Sequence, residues 1–221
     1  MERVTEPELM DEPEQARAYA EADFEQAHSQ VIALIRERFP GDDFAGATLD
    51  LGCGPADISI RFARAFPAAR VDGVDGAVAM LTHARAAVRD AGLEARVRLI
   101  RGRLPEARLP QARYDAVISN SLLHHLHEPR VLWEAVRRYG APGARVFVMD
   151  LLRPRSRDHA RALVAEYSGT EPDVLQRDFY NSLRAAFRPQ EIQGQLDSAG
   201  LGTLTVETVS DRHLAVWGRL P

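Results

Sequence analysis

The stretch Leu49-Asp50-Leu51-Gly52-Cys53-Gly54-Pro55-Ala56-Asp57 sits where one hydrophobic pattern gives way to another. Ahead of the turn, Ala47–Leu51 is a short apolar run of buried-strand type. Behind it, Asp57–Ala65 spaces its apolar residues as a helix does and stops before Pro67. Strand, glycine turn and helix thus follow in immediate succession. Glycines in such a turn let backbone approach a ligand, and the following helix N-terminus offers N–H groups with no intrahelical partner.

Working outward, the alternation repeats. Arg70–Val74, Val97–Arg101, Tyr114–Ser119 and Ala144–Asp150 read as further strands. Ala77–Ala91 and Glu128–Tyr139 read as the helices among them, ended by Gly92 and by Gly140 with Pro142. Alternation of this kind predicts an α/β fold with a parallel sheet and helices on both faces. Upstream, Glu14–Glu25 and His28–Arg38 are helical. Downstream, residues 153–188 are helical without a strand, and Pro189–Ala199 is another helix. Leu204–Val209 and His213–Gly218 are strands joined too tightly to be parallel, so an antiparallel strand is expected near the sheet's end.

The 221 residues suffice for one domain. It divides into a helical N-terminal cap (1–44), a ligand-binding core (45–152), a helical substrate-lid insertion (153–190) and a C-terminal helix with the strand pair (191–221). Met1–Asp11 is acidic without an apolar h-region, and no apolar run is long enough to span a bilayer, so neither a signal peptide nor a membrane span is expected and the cytoplasm is the expected location. The net charge of −4 gives no general attraction to nucleic acid. All 28 basic residues are arginine, which excludes Schiff-base and P-loop lysine chemistry. The single cysteine, Cys53, excludes an internal disulfide and a thiolate metal cluster. The acidic first 25 residues and the basic run Arg153, Arg155, Arg157 and Arg161 read as solvated surface.

The glycine turn is followed by an acidic residue, Asp75, at the end of the next strand. This combination points to an adenosine-type ligand at the strands' carboxyl ends. A dinucleotide fingerprint would place a third glycine where Asp57 stands, and a pyrophosphate would meet Asp50 and Asp57. A cationic, phosphate-free ligand suits those carboxylates better.

Leu49–Asp57, Gly73-Val74-Asp75, Met80-Leu81 and Ser119-Asn-Ser-Leu-Leu-His-His-Leu126 resemble successive motifs of the class I, Rossmann-like S-adenosylmethionine-dependent methyltransferases. The likeness is to the small-molecule branch that includes the ubiquinone and menaquinone enzymes, and it covers residues 45–152. It implies a three-layer αβα fold with a seven-stranded sheet ordered 3-2-1-4-5-7-6, strand 7 antiparallel. It implies S-adenosyl-L-methionine as cofactor and in-line methyl transfer to a small molecule, by a monomer or homodimer. Asp50, Gly52 and Gly54, with Cys53 between them, would line the methionine moiety. Asp75, beside Gly76, would accept hydrogen bonds from the ribose, and Met80 would pack on adenine. Asn120, Ser121 and His125 would sit by the methionine portion and the substrate, and Tyr19 would close over the cofactor. The family usually places an acidic residue after strand three; here the chain reads Gly102-Arg103-Leu104, and arginine cannot accept a hydrogen bond.

Candidate catalytic residues are His124, His125, Tyr167 and Tyr180, and the residues alone do not choose among them. Phe24, Phe179, Phe187 and Arg188 are further candidates for the substrate pocket, with Arg153 or Arg188 able to hold an anion. Neighbouring histidines are expected to point apart, and no acidic pattern joins them, so no metal site is expected. An RNA or protein methyltransferase and a non-catalytic cofactor-binding partner are the competing readings.

Overall fold

A computed structural model describes residues 1–22 and 25–221; Phe24 lies outside the described residues. Seven strands form one sheet in the order β3-β2-β1-β4-β5-β7-β6. They are β1 (Gly46–Leu51), β2 (Ala69–Asp75), β3 (Val97–Arg101), β4 (Tyr114–Asn120), β5 (Gly140–Leu151), β6 (Thr205–Thr208) and β7 (His213–Arg219). The first five pair in parallel, while β7 runs antiparallel to both β5 and β6.

The apolar runs of the central strands feed two cores at once. Successive side chains of a strand face opposite sides of the sheet. On β4, Ala116 and Ile118 join one core with Phe44 and Phe62, while Val117 joins the other with Leu132 and Trp133. On β5, Phe147 and Met149 take the first side, Val146 and Val148 the second. Such strands need helices on both faces. The first side is covered by α2 (Glu25–Arg38), α3 (Asp57–Ala65) and α4 (Val78–Asp90), and the second by α5 (Arg130–Tyr139) and α8 (Pro189–Ser198). Chain order reverses between β1 and β4, which opens a crevice at their carboxyl ends. Over that end lie α1 (Pro13–Glu21), α6 (Arg157–Ser168) and α7 (Asp173–Ala185), with α1 packed on α4 and α7.

Several boundaries differ from the sequence expectation. The first helix ends at Glu21, short of Glu25. β5 starts at Gly140, because a register shift between Tyr114 and Ala116 admits Pro142 without breaking the ladder. The larger difference is the N-terminus. Residues 1–12 are not helical; they form an extended strap tied across the molecule. The Val4 N–H donates to the Arg184 carbonyl. Arg3 donates from Nε to the Ala185 carbonyl and from Nη2 to the carbonyls of His124 and Leu126, and its guanidinium lies 4.0 Å from the Phe187 ring centre. The acidic strap is therefore not simply solvated surface. Nor is Arg153, which is buried and ion-paired with Glu191 at 2.5 Å. A charge at a buried position needs a partner, and Glu191 supplies it.

Candidate active site

The glycine turn is shaped by contact as well as by dihedral angle. Gly52 has φ +73°, and a Cβ there would lie 2.9 Å from the Leu122 side chain, so only glycine fits. The N–H groups of Gly52 and Cys53 both donate to the Val74 carbonyl, stitching the turn to the end of β2. There Asp75 accepts from the Gly54 N–H and the Ala77 N–H, each at 2.8 Å, and burial raises its pKa. Asp50 is buried at the end of β1 and accepts from Ser59 Oγ at 2.5 Å. Burial, aided by the Asp75 charge, pushes its carboxyl up to about 7. Asp57 is different. Burial works against its charge, but His28 Nδ1 at 2.7 Å and Arg61 Nε at 2.6 Å outweigh it and lower the pKa. Asp57 is thus neutralised by partners, so the repulsion that would exclude a pyrophosphate falls to Asp50 and Asp75.

These groups open onto a cavity of about 390 Å³. Tyr19, Asp50, Gly52, Cys53, Gly54, Asp75, Gly76, Met80, Gly102, Arg103, Leu104, Asn120, Ser121 and His125 all line it, so the fold gathers every residue the motifs named for the cofactor. The strap adds residues the sequence did not flag: Glu8, Leu9 and Met10 also line this cavity. The Glu8 carboxylate accepts from Arg103 Nη2 and from the His127 N–H. Arg103 is thereby ion-paired, and a carboxylate from far away in the chain lines the cavity beside it.

A second cavity, of about 170 Å³, lies against the first. Met10, Tyr19, His28, Asn120, Ser121 and His125 belong to both. Its remaining wall includes His124, Tyr167, Asp178, Phe179, Ser182 and His213. Ser121 at the junction has φ +55°, an uncommon conformation for serine that cost maintains only where surrounding contacts impose it. Tyr167 donates its hydroxyl to Asp211 at 2.8 Å and lies beneath the Arg212 guanidinium. Tyr180 is not brought to the site; it packs with Leu151, Ala160, Leu163 and Leu183. Arg188 donates to the Met1 carbonyl, and Phe187 is buried in the main core, so neither joins Phe179 at the wall.

The histidine pair departs most from expectation. The turn after β4 (Leu123–His125, one 3-10 turn) stacks the two imidazoles 4.2 Å apart, rather than pointing them away from each other. His124 is buried, with Nδ1 2.7 Å from Asp150 Oδ1. Burial disfavours both charges, yet their mutual attraction raises the His124 pKa and lowers that of Asp150, giving a buried ion pair. Asp150 also accepts from the N–H groups of Leu123 and Leu151. Burial and the His124 charge hold His125 down to about 3, so it is neutral. An acidic partner exists after all: Glu6 from the strap. Its Oε1 lies 3.3 Å from His125 Nδ1 and 3.6 Å from His124 Nε2, and it accepts from Ser182 Oγ at 2.9 Å. Asp150 carried one visible sequence signal, an acid ending an apolar strand. Glu6, Asp178, Ser182 and His213 carried none.

Comparison with known proteins agrees with the crevice. Residues 48–143 match the family model described as a methyltransferase domain. An uncharacterized methyltransferase of Mycobacterium tuberculosis is 30% identical over 110 residues, which is 50% of this chain and 53% of that protein. The ubiquinone biosynthesis O-methyltransferase of Cronobacter sakazakii is 28% identical over 177 residues, 77% of this chain and 67% of that one. The chain thus spans about half the length of the mycobacterial relative it matches. Among solved structures, a Methanococcus maripaludis protein described as a putative S-adenosyl-L-methionine-dependent methyltransferase superposes with TM-score 0.72 at 16% identity, covering 99% of this chain and 98% of that one. With the strand order, the reversed β7 and the glycine turn in place, the chain has the fold of the class I S-adenosylmethionine-dependent methyltransferases, and its residues 48–143 are similar to a methyltransferase domain.

Proposed function

We propose that this chain transfers a methyl group from S-adenosyl-L-methionine to a small molecule held in the second cavity. The observation that carries this reading is the pair of adjoining cavities, of about 390 and about 170 Å³, with Asn120, Ser121 and His125 at their junction. The larger is in the range of cofactor sites, and its chemistry fits a cationic ligand. Asp50 and Asp75 face it, while its arginine, Arg103, is committed to Glu8. The cofactor supplies an activated methyl on a sulfonium whose departure needs no acid. The chain's work is therefore alignment and exclusion of water. Asp75 holds the ribose, Asp50 lies toward the ammonium, and Tyr19 and Met10 wall the junction from the strap side. His125, neutral and shared by both cavities, meets the acceptor's nucleophilic atom.

A small acceptor suits the second cavity better than a macromolecule, because the strap, α6 and α7 roof it. Among the described residues, no helix is long and apolar enough to cross a membrane. The test is transfer of a labelled methyl group to a panel of phenols, carboxylic acids and amines, with RNA and protein alongside. Label on a low-mass acceptor, lost in Phe179→Trp while S-adenosylhomocysteine still binds, is the expected result. Label found only on RNA or protein would overturn it.

A further inference from the structure

We infer that Glu6, His124 and His125 form a binding site for one divalent transition-metal ion, of which Zn²⁺ is the best match, at the wall of the acceptor cavity. The three side chains each offer one donor atom, and these atoms lie within 4.8 Å of one another. The two measured edges from Glu6 Oε1 are 3.3 Å to His125 Nδ1 and 3.6 Å to His124 Nε2. A tetrahedral ion with bonds of 2.0–2.1 Å has ligand–ligand edges of about 3.3 Å. The geometry is therefore close to that of a metal site before any ion is placed.

The second observation is the state of the nitrogens. The buried Nδ1 of His125 has no hydrogen-bond partner among the described residues. That nitrogen faces the Glu6 carboxylate oxygen Oε1 at 3.3 Å. A cation placed between these two donor atoms would be held by both. His124 is oriented from behind. Its Nδ1 donates to Asp150, itself held by two backbone N–H groups, which aims Nε2 at Glu6. A carboxylate behind a ligating imidazole is the usual outer support of a metal-binding histidine. Arg3 is the nearby cation of the strap, and its Nη2 is committed to the His124 and Leu126 carbonyls.

Two imidazoles and one carboxylate favour a borderline ion such as Zn²⁺ over Mg²⁺ or Ca²⁺, which prefer oxygen ligands. Both histidines line the second cavity, so the open coordination position faces the acceptor. This placement rests on the proposed acceptor cavity, and it names the acceptor class as an oxygen ligand, a hydroxyl or a carboxylate. Ion binding itself needs no acceptor, so the two readings fail separately.

The experiment titrates the untagged full chain with Zn²⁺ by calorimetry, without acceptor, and records visible absorption with Co²⁺. One Zn²⁺ per chain and tetrahedral Co²⁺ bands are expected. Glu6→Gln and His125→Ala should each weaken Zn²⁺ binding at least tenfold, and His83→Ala on α4 should not. Retained melting transitions and S-adenosylhomocysteine binding show that each variant is folded; if one is not, His124→Ala or His125→Gln replaces it. Absence of stoichiometric Zn²⁺ binding, equal binding by all variants, or binding of Mg²⁺ in place of Zn²⁺ overturns the site. S-adenosylhomocysteine binding that persists in that event leaves the proposed function standing.

Discussion

The two adjoining cavities are built in opposite ways. The larger is made chiefly of loops that leave the carboxyl ends of neighbouring strands, Gly52–Gly54 after β1, Asp75–Gly76 after β2, Gly102–Leu104 after β3 and Asn120–Ser121 after β4, with Glu8, Leu9 and Met10 of the strap laid over them. The smaller is made of residues brought together from afar: Met10 from the strap, His124 from the turn after β4, Phe179 and Ser182 from α7, His213 from β7. The difference separates what a parallel sheet does for any such chain from what this chain does with its own insertions. A ligand at the strand ends is a property of the topology. The shape of the neighbouring cavity is a property of tertiary contacts.

The acceptor side depends most on the buried pair of His124 and Asp150. Asp150→Ala strips the partner from the buried His124 charge and should cost about 3–5 kcal/mol of stability, read by denaturant unfolding. A loss below about 1 kcal/mol would mean that the acceptor side is not welded to β5, since that is the scale of an exposed pair.

Next in size is the cofactor side. Asp75→Ala removes a carboxylate acceptor and should weaken S-adenosylhomocysteine binding by roughly 1–3 kcal/mol, measured calorimetrically. Unchanged affinity would remove Asp75 from the ribose site.

A pH series sharpens the same side. Asp50 has a folded pKa of about 7, against about 3.9 for an unfolded aspartate. Between those values the folded state holds the extra proton, so the ligand-free protein should lose stability as pH rises from about 4 to about 7. The ionised form attracts an ammonium, so S-adenosylhomocysteine affinity should rise as pH passes through about 7, by at most about tenfold per pH unit. Asp50→Asn should flatten both trends; a pH profile identical to the native chain's would show that another group titrates.

The smallest effect belongs to the outer wall of the second cavity. Tyr167→Phe removes a hydrogen bond to Asp211 at a half-exposed position. It should cost no more than about 1 kcal/mol of stability and leave S-adenosylhomocysteine affinity unchanged. A large loss of cofactor affinity would show that the two cavities are not separable.

Legibility follows the same division. The loop residues of the larger cavity are readable because each sits at a fixed offset from a strand end, and strand ends are marked by apolar runs and glycines; Glu8, Leu9 and Met10 are not. Even there, one inference changed its basis: Asp57 was read as a free negative charge, and His28 and Arg61 neutralise it. On the acceptor side, Tyr167 and Phe179 were found because aromatics in a lid segment are conspicuous. Tyr180, one residue further along α7, packs with Phe179 against the same satellite core but does not line the second cavity. Arg153, read as exposed, is buried by its contact with Glu191. The strap was unreadable: Glu6-Pro7-Glu8 has no periodicity and no turn signal that would bring it to His124 or Arg103.

By itself, then, the sequence determined the α/β class, the strand–turn–helix steps and the residues at the strand ends. These depend on short-range patterns of apolar spacing and backbone freedom, which act within one element at a time. Only the tertiary structure decided that the acidic N-terminus crosses the crevice, that Glu8 takes Arg103, and that Glu6 meets both histidines. Those contacts join residues more than 90 positions apart, and they arise from packing of separate elements, on which local pattern has no hold. The turn at Leu49–Asp57 states where a ligand binds; the folded strap and lid decide what reaches it.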